Sequence, residues 1–151
     1  MAIPGVGLIS FTVPGPPHGK GRARSTRAGR HYTPAKTVRY EAIVAQCARK
    51  VKPREPFGGP VGVRITAFRA RPDAPRPGHE CRRTDAMLYG RVACTTAPDV
   101  DNIAKTVLDG CNHAGVWGDD RQVAELVARK VWCAVGEEAR VEVSVYSLEE
   151  I

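Results

Sequence analysis

Apolar and polar positions alternate from residue 8 to 13 (LISFTV), the period of a β-strand, and the Pro14-Gly15-Pro16-Pro17 run ends it. From Pro34 the period lengthens to that of a helix. Tyr40, Ile43, Val44, Cys47 and Val51 form its apolar stripe, Thr33 is the expected cap, Pro34 sits in the first turn, and Pro53 and Pro56 are stops. Residues 61–68 predict a second strand with Val61, Val63 and Ile65 on one face. A second helix is expected from about residue 100 to 114, with Val100, Ile103, Val107, Leu108 and Cys111 facing inward and Gly115 as its stop. Residues 123–135 and 140–148 read as two strands around a turn at Gly136, the latter alternating Val141, Val143 and Val145.

Residues 70–97 follow no period and are rich in Pro, Arg and Gly; they read as a long loop or insertion with a short turn near residues 85–88. Loops of that length in a compact domain are more often functional than structural. The order strand, helix, strand, loop, helix, strand, strand predicts a single α/β (α+β) domain over residues 1–151. Its sheet should be mixed or antiparallel, of about four strands packed with two helices.

Composition removes several classes. Hydrophobic residues make up 42% and charged ones 26%, as in a soluble globular domain. No apolar run approaches the roughly 20 residues of a membrane helix, so no membrane partner is expected. The opening MAIPGVGLISFTVPGPP has neither a charged n-region nor a small-residue cleavage site, which makes the cytoplasm the expected location. Five cysteines form an odd set without a CxxC pair, as expected of reduced and mostly buried thiols.

The net charge of +7 is unevenly spread. Residues 18–54 hold eleven Lys/Arg against the single acid Glu41, whereas residues 98–151 hold eleven acids against five bases. The basic stretch opens as a loop over residues 18–33, where Lys20, Arg22, Arg24, Arg27 and Arg30 are separated by small residues. Such a loop suits a polyanion better than a core, and these five are the candidate contacts to a nucleic-acid backbone.

Against that background the segment PDVDNIAKTVLDGCNHAGVWGDDRQV, residues 98–123, carries the chemistry. Asp99 and Asp101 flank a helix start, Asp119 and Asp120 follow Gly118 in a turn, and Lys105 lies between the pairs. Capping explains one Asp at a helix start, and turns favour Asp on their own account. Two pairs joined by one helix fit a metal site better, because gathered carboxylates repel one another unless a cation neutralises them. Hard oxygen ligands select Mg²⁺ or Mn²⁺ and leave positions for phosphate. Lys105 shares a face with Asp101 and Asp109; Asp109 reads as an ion-pair partner, and Lys105 as a cation for the scissile phosphate. Asn102 is placed to orient a metal-bound carboxylate.

This segment resembles the signature of the RusA family of Holliday-junction resolvases, phage- and prophage-associated endodeoxyribonucleases: a D-x-D-N-x-x-K segment leads a helix and a G-[VF]-[WI]-x-D-D-x-Q-V segment follows it. The stretch PGPPHGKGRAR is similar to the family's opening strand and basic loop. The resemblance implies a homodimer that nicks two strands of a four-way junction symmetrically with Mg²⁺ or Mn²⁺. It places the essential acids on Asp99, Asp101 and Asp120 and the essential lysine on Lys105, with Asp119 a further metal-ligand candidate. For a phage-borne gene the location is the host cytoplasm. Residues 71–97 depart from the family's shorter members.

Three rivals stand beside this reading. A zinc site would draw on His79, Cys81, Cys94, Cys111 and His113, whose spacing fits no standard template. A non-catalytic nucleic-acid-binding protein gives no reason for Asp120, since acids oppose phosphate. A flap or branched-DNA nuclease would share the same residues. For the dimer, Val141, Val143, Val145, Tyr146, Trp117 and Trp132 are a candidate surplus of apolar surface.

Overall fold

In a computed structural model, residues 7–71, 92–134 and 136–148 are described. The elements in chain order are β1 (Leu8–Pro14), β2 (Arg24–Ser25), β3 (His31–Tyr32), α1 (Ala35–Arg49), β4 (Val61–Arg69), α2 (Val100–Ala114), a 3-10 turn (Asp120–Gln122), β5 (Val123–Trp132) and β6 (Arg140–Ser147). The sheet runs β1-β6-β4-β5. β6 is antiparallel to both β1 and β4, and β4 is parallel to β5. The sheet is therefore mixed, and its one parallel pair among the described strands, β4 and β5, is joined by a crossover that carries α2. The expected turn near residues 85–88 lies outside the described residues, as does Val135.

Both helices lie on one face of the sheet, over a core of Phe11, Val13, Val61, Val63, Ile65, Ile103, Val107, Val141, Val143 and Val145. Val141, Val143, Val145, Trp117 and Trp132 are all buried within this single chain, so the apolar surplus expected for a dimer contact is used up internally. Only Tyr146 stays on the outer face, its ring 5.6 Å from the Arg64 guanidinium.

The stripe of α1 is also corrected. Its buried residues are Thr37, Tyr40, Glu41, Val44, Ala45 and Ala48, while Ile43 and Val51 are exposed. Two polar side chains face inward because partners from other segments meet them there. Thr37 Oγ1 accepts from the Gly21 amide at 3.1 Å, and Glu41 pairs with Lys20 at 3.2 Å. Pro34 rather than Thr33 occupies the N-cap, and the helix ends at Arg49, ahead of Pro53. In α2 the inward face is Ile103, Ala104, Thr106, Val107, Gly110, Cys111 and Ala114, with Leu108 half-buried; Val100 is exposed.

Glycine sets two features of α2. A Cβ on Gly110 would lie 2.5 Å from Val44 Cγ1 and 3.1 Å from the Glu41 carbonyl oxygen, so the missing side chain lets α1 and α2 cross closely. Gly115 ends the helix at φ +73°, a left-handed conformation that costs glycine nothing.

Candidate active site and nucleic-acid interface

Asp99 holds the N-cap position of α2 in extended conformation, yet its side chain makes no capping hydrogen bond. Asp101 lies in the first turn, and Lys105 follows it one turn later. All three are exposed, and none of their side chains is bonded or paired to another described residue. The Lys105–Asp109 pair expected of an ion-pair ladder does not form, because Asp109 is bound by Lys20 instead. Two carboxylates and one ammonium are thus left facing solvent along one helix.

The acid pair after the helix is arranged differently. Asp119 caps the 3-10 turn, accepting the Arg121 amide at 2.8 Å, and its second oxygen accepts from the Arg121 guanidinium at 2.8 Å. These hydrogen bonds from the Arg121 side chain and backbone hold its carboxyl far below the usual range. Gln122 closes the capping box: its Oε1 accepts from the Gly118 and Asp119 amides, and its Nε2 donates to the carbonyls of Phe57 and Gly59. The turn is thereby fastened to the approach of β4, a role for Gln122 that the sequence did not signal. Asp120, one residue on, is exposed.

Distance separates the two pairs. Asp99 and Asp101 begin α2, and Asp120 follows its end; the 15 residues of the helix span about 22 Å at a rise of about 1.5 Å each. β5 then returns beside it, so that Lys130 Nζ lies 2.8 Å from the Pro98 carbonyl oxygen, at the far end of the strand from Asp120. Within one chain the structure brings Asp99, Asp101 and Lys105 together and leaves Asp120 remote. Among the described residues, no three His, Cys, Asp or Glu side chains are grouped to hold a metal ion. What one chain offers is a carboxylate pair free of competing bonds. That pair fits Mg²⁺, which takes one or two carboxylates and completes its shell with water and substrate phosphate.

The zinc alternative loses ground. Cys111 is fully buried, and burial pushes its thiol up to about 12, against the deprotonation that a zinc ligand needs. His113 instead lies 3.5 Å from Glu41, and His79 and Cys81 lie outside the described residues.

The basic loop is more ordered than its composition suggested. β2 and β3 pair as a short antiparallel ribbon, Arg24 opposite Tyr32 and Ser25 opposite His31. Ser25 Oγ and His31 Nδ1 share a hydrogen bond of 3.0 Å, and the Thr26 amide donates to the Arg30 carbonyl at 2.9 Å. Arg22, Arg24, Arg27 and Arg30 are all exposed on it. Lys20 is the exception. Its ammonium pairs with Asp109 and Glu41, and its amide donates to the Asn102 carbonyl at 3.1 Å. His18 sits against Thr37 Oγ1 at 3.3 Å and lines a cleft with Pro17, Gly19, Pro98, Asp99 and Asn102.

The comparisons with known proteins place this layout among the nucleases. The chain belongs to the endodeoxyribonuclease RusA family, whose model matches residues 14–146. Over 140 residues it is 35% identical to the uncharacterized protein YqaN of Bacillus subtilis (strain 168), an alignment covering 91% of this chain and 94% of YqaN. No described helix is long and apolar enough to cross a membrane.

Proposed function

We propose that the chain is a divalent-metal-dependent resolvase of four-way DNA junctions, cutting phosphodiesters at a site built on Asp99, Asp101 and Lys105. The observation that carries this is the Asp99–Asp101 pair, two exposed carboxylates that the helix start positions but does not use for capping. Mg²⁺ or Mn²⁺, when bound there, would supply an activated water and neutralise charge on the phosphate. The chain's own residues do the rest. Asp99 and Asp101 present oxygens from a rigid helix start, and Asn102 holds the basic segment beside them through its carbonyl. Lys105 offers a fixed ammonium one turn away, where it stabilises charge developing on the scissile phosphate. Arg22, Arg24, Arg27 and Arg30 follow the backbone of the arms.

Asp120 belongs to this reading only if a second copy provides it, since about 22 Å of helix separates it from Asp99 in its own chain. A homodimer in which each Asp120 joins the partner's acid pair gives two complete sites, as paired nicks on a near-symmetric junction require. Asp119 is then a positioning residue for the turn through Arg121 rather than a metal ligand. The test is cleavage of junction, flap, fork and linear duplex in Mg²⁺ by wild type and Asp101→Asn. Paired nicks in the junction, lost in the variant with binding retained, support the reading. Preferential flap cleavage would make the protein a general branched-DNA nuclease, and equal cleavage by Asp101→Asn would remove the site.

A further inference from the structure

The residues immediately before Asp99 are gripped by two cations that the reaction scheme above does not use. Lys130 Nζ, from β5, donates to the Thr96 carbonyl at 2.5 Å and to the Pro98 carbonyl at 2.8 Å. Arg69, the last residue of β4, donates through Nη1 to the Ala97 carbonyl between them. All three carbonyls of the bend before Asp99 are thus held by a cation from β4 or β5. Residues 92–94 run alongside the same strand, the Cys94 amide donating to the Lys130 carbonyl at 2.9 Å and the Trp132 amide to the Val92 carbonyl at 2.8 Å.

Lys130 is an unexpected residue for its place. It pairs in register with the buried Ala67, on the side of the sheet that carries the helices. Its ammonium is part-buried and has no carboxylate partner among the described residues. An aliphatic residue would fill that strand position without desolvating a charge. The lysine instead supplies two hydrogen bonds to carbonyls in the three residues before an acid whose side chain has no internal partner.

We propose that Lys130 and Arg69 are positioning residues for the Asp99–Asp101 pair: by fixing the carbonyls of Thr96, Ala97 and Pro98 they set the direction in which the two carboxylates leave the start of α2. This rests on the hydrolytic reading of that pair. Neither cation touches the reacting phosphate; both act through the main chain.

The test uses the full-length protein without DNA and reads Mn²⁺ binding from the electron paramagnetic resonance of the free ion. Groups that orient metal ligands typically account for about 10–100-fold in metal affinity. Lys130→Met should weaken Mn²⁺ binding by that factor, and Lys130→Arg should restore most of it. Simple electrostatics predicts the reverse, because removing a cation near two carboxylates favours a metal ion. Unchanged or tighter binding in Lys130→Met therefore overturns the proposal. Exchange of the Ile103 amide, which donates to the Asp99 carbonyl at 3.1 Å, should be faster in the same variant without metal, and unchanged protection there also overturns the proposal. Arg69→Ala releases only Ala97 at an exposed position, so it carries the test if Lys130→Met does not fold; its binding should weaken and its exchange quicken. If the wild type takes up no Mn²⁺, the hydrolytic reading falls, and the grip is judged on exchange alone, faster exchange upholding it and unchanged exchange overturning it.

Discussion

Lys20 and Asp109, 89 positions apart in the chain, form an ion pair that fastens the basic segment to α2. Glu41 of α1 approaches the same ammonium at 3.2 Å, so one side chain ties three parts of the fold together. Lys20→Met should cost about 1.5–3 kcal/mol, the range for hydrogen bonds to charged groups. In a chain of this size that lowers the melting midpoint by about 2–4 °C for each kcal/mol. It should leave the salt dependence of junction binding unchanged. By contrast, Arg22, Arg24, Arg27 or Arg30 changed to Gln should each lower the slope of log K against log salt by about 0.9, without altering the midpoint. A reduced slope for Lys20→Met would move that residue to the DNA surface.

Mixing two inactive variants tests where Asp120 acts. In a heterodimer of Asp101→Asn with Asp120→Asn, a site shared between copies leaves one site with both native residues and one with neither. Nicking should return to roughly the fraction set by heterodimer formation, and each junction should receive a single cut. A site contained within one chain leaves every site damaged, so the mixture stays inactive. Denaturing gels of a junction labelled on each strand distinguish the two.

Lys105→Ala should reduce turnover at saturating enzyme by about 100-fold or more, while junction affinity changes little. A cation aimed at transition-state charge contributes to rate rather than to ground-state binding. Single-turnover cleavage set beside gel-shift affinity separates the two effects.

Gly110→Ala should destabilise the fold although alanine is worth about 1 kcal/mol more than glycine within a helix. The added methyl meets Val44 at 2.5 Å, and overpacking of this kind costs about 1–3 kcal/mol. Combined with Val44→Ala, the two changes should be less damaging than their sum. Chemical denaturation of the four-member cycle reads this coupling.

Above about pH 9 the protein should lose stability. Burial raises Tyr40 to about 12 and Cys111 to about 12. Burial pulls Lys20 down, but its bonds to Asp109 and Glu41 more than offset this and leave it raised. All three groups hold their protons more tightly folded than unfolded. Their contribution is complete below the unfolded-state values and declines as pH rises toward the folded ones. Thermal midpoints from pH 7 to 11 should fall on the alkaline side, and Cys111→Ala should remove the earliest part of the decline.

The elements most legible in the sequence are those whose signals are local. α2 begins and ends where its Asp and Gly punctuation places it, and β4 and β6 follow their valine alternation. α1 was legible as a helix but not in phase. Its inward face includes Glu41 and Thr37, polar residues whose partners come from residues 20 and 21, and hydropathy along the helix carries no record of them. The β2–β3 ribbon, two residues a side, is too short to show a period. At the site, the identities of Asp99, Asp101 and Lys105 were legible as a motif. The distance to Asp120 is implicit in the length of α2, and the closeness of the two acid pairs in sequence conceals it. The roles of Gln122, Lys130 and Arg69 depend on carbonyls of remote segments and left no local trace.

The position of β6 between β1 and β4 has a consequence for how the chain is made. Leu8 pairs with Tyr146, and among the described residues β1 has no other strand beside it in the sheet. During synthesis β1, α1, β4 and α2 all leave the ribosome before the strand that joins β1 to the rest of the sheet. Pairings this distant in sequence form slowly because the loop must close before any contact rewards it. Until Arg140–Ser147 emerges, β1 and β4 both wait with unpaired edges. A nascent chain is therefore held short of its native sheet until β6 has emerged, and chains truncated before β6 should be open to proteolysis.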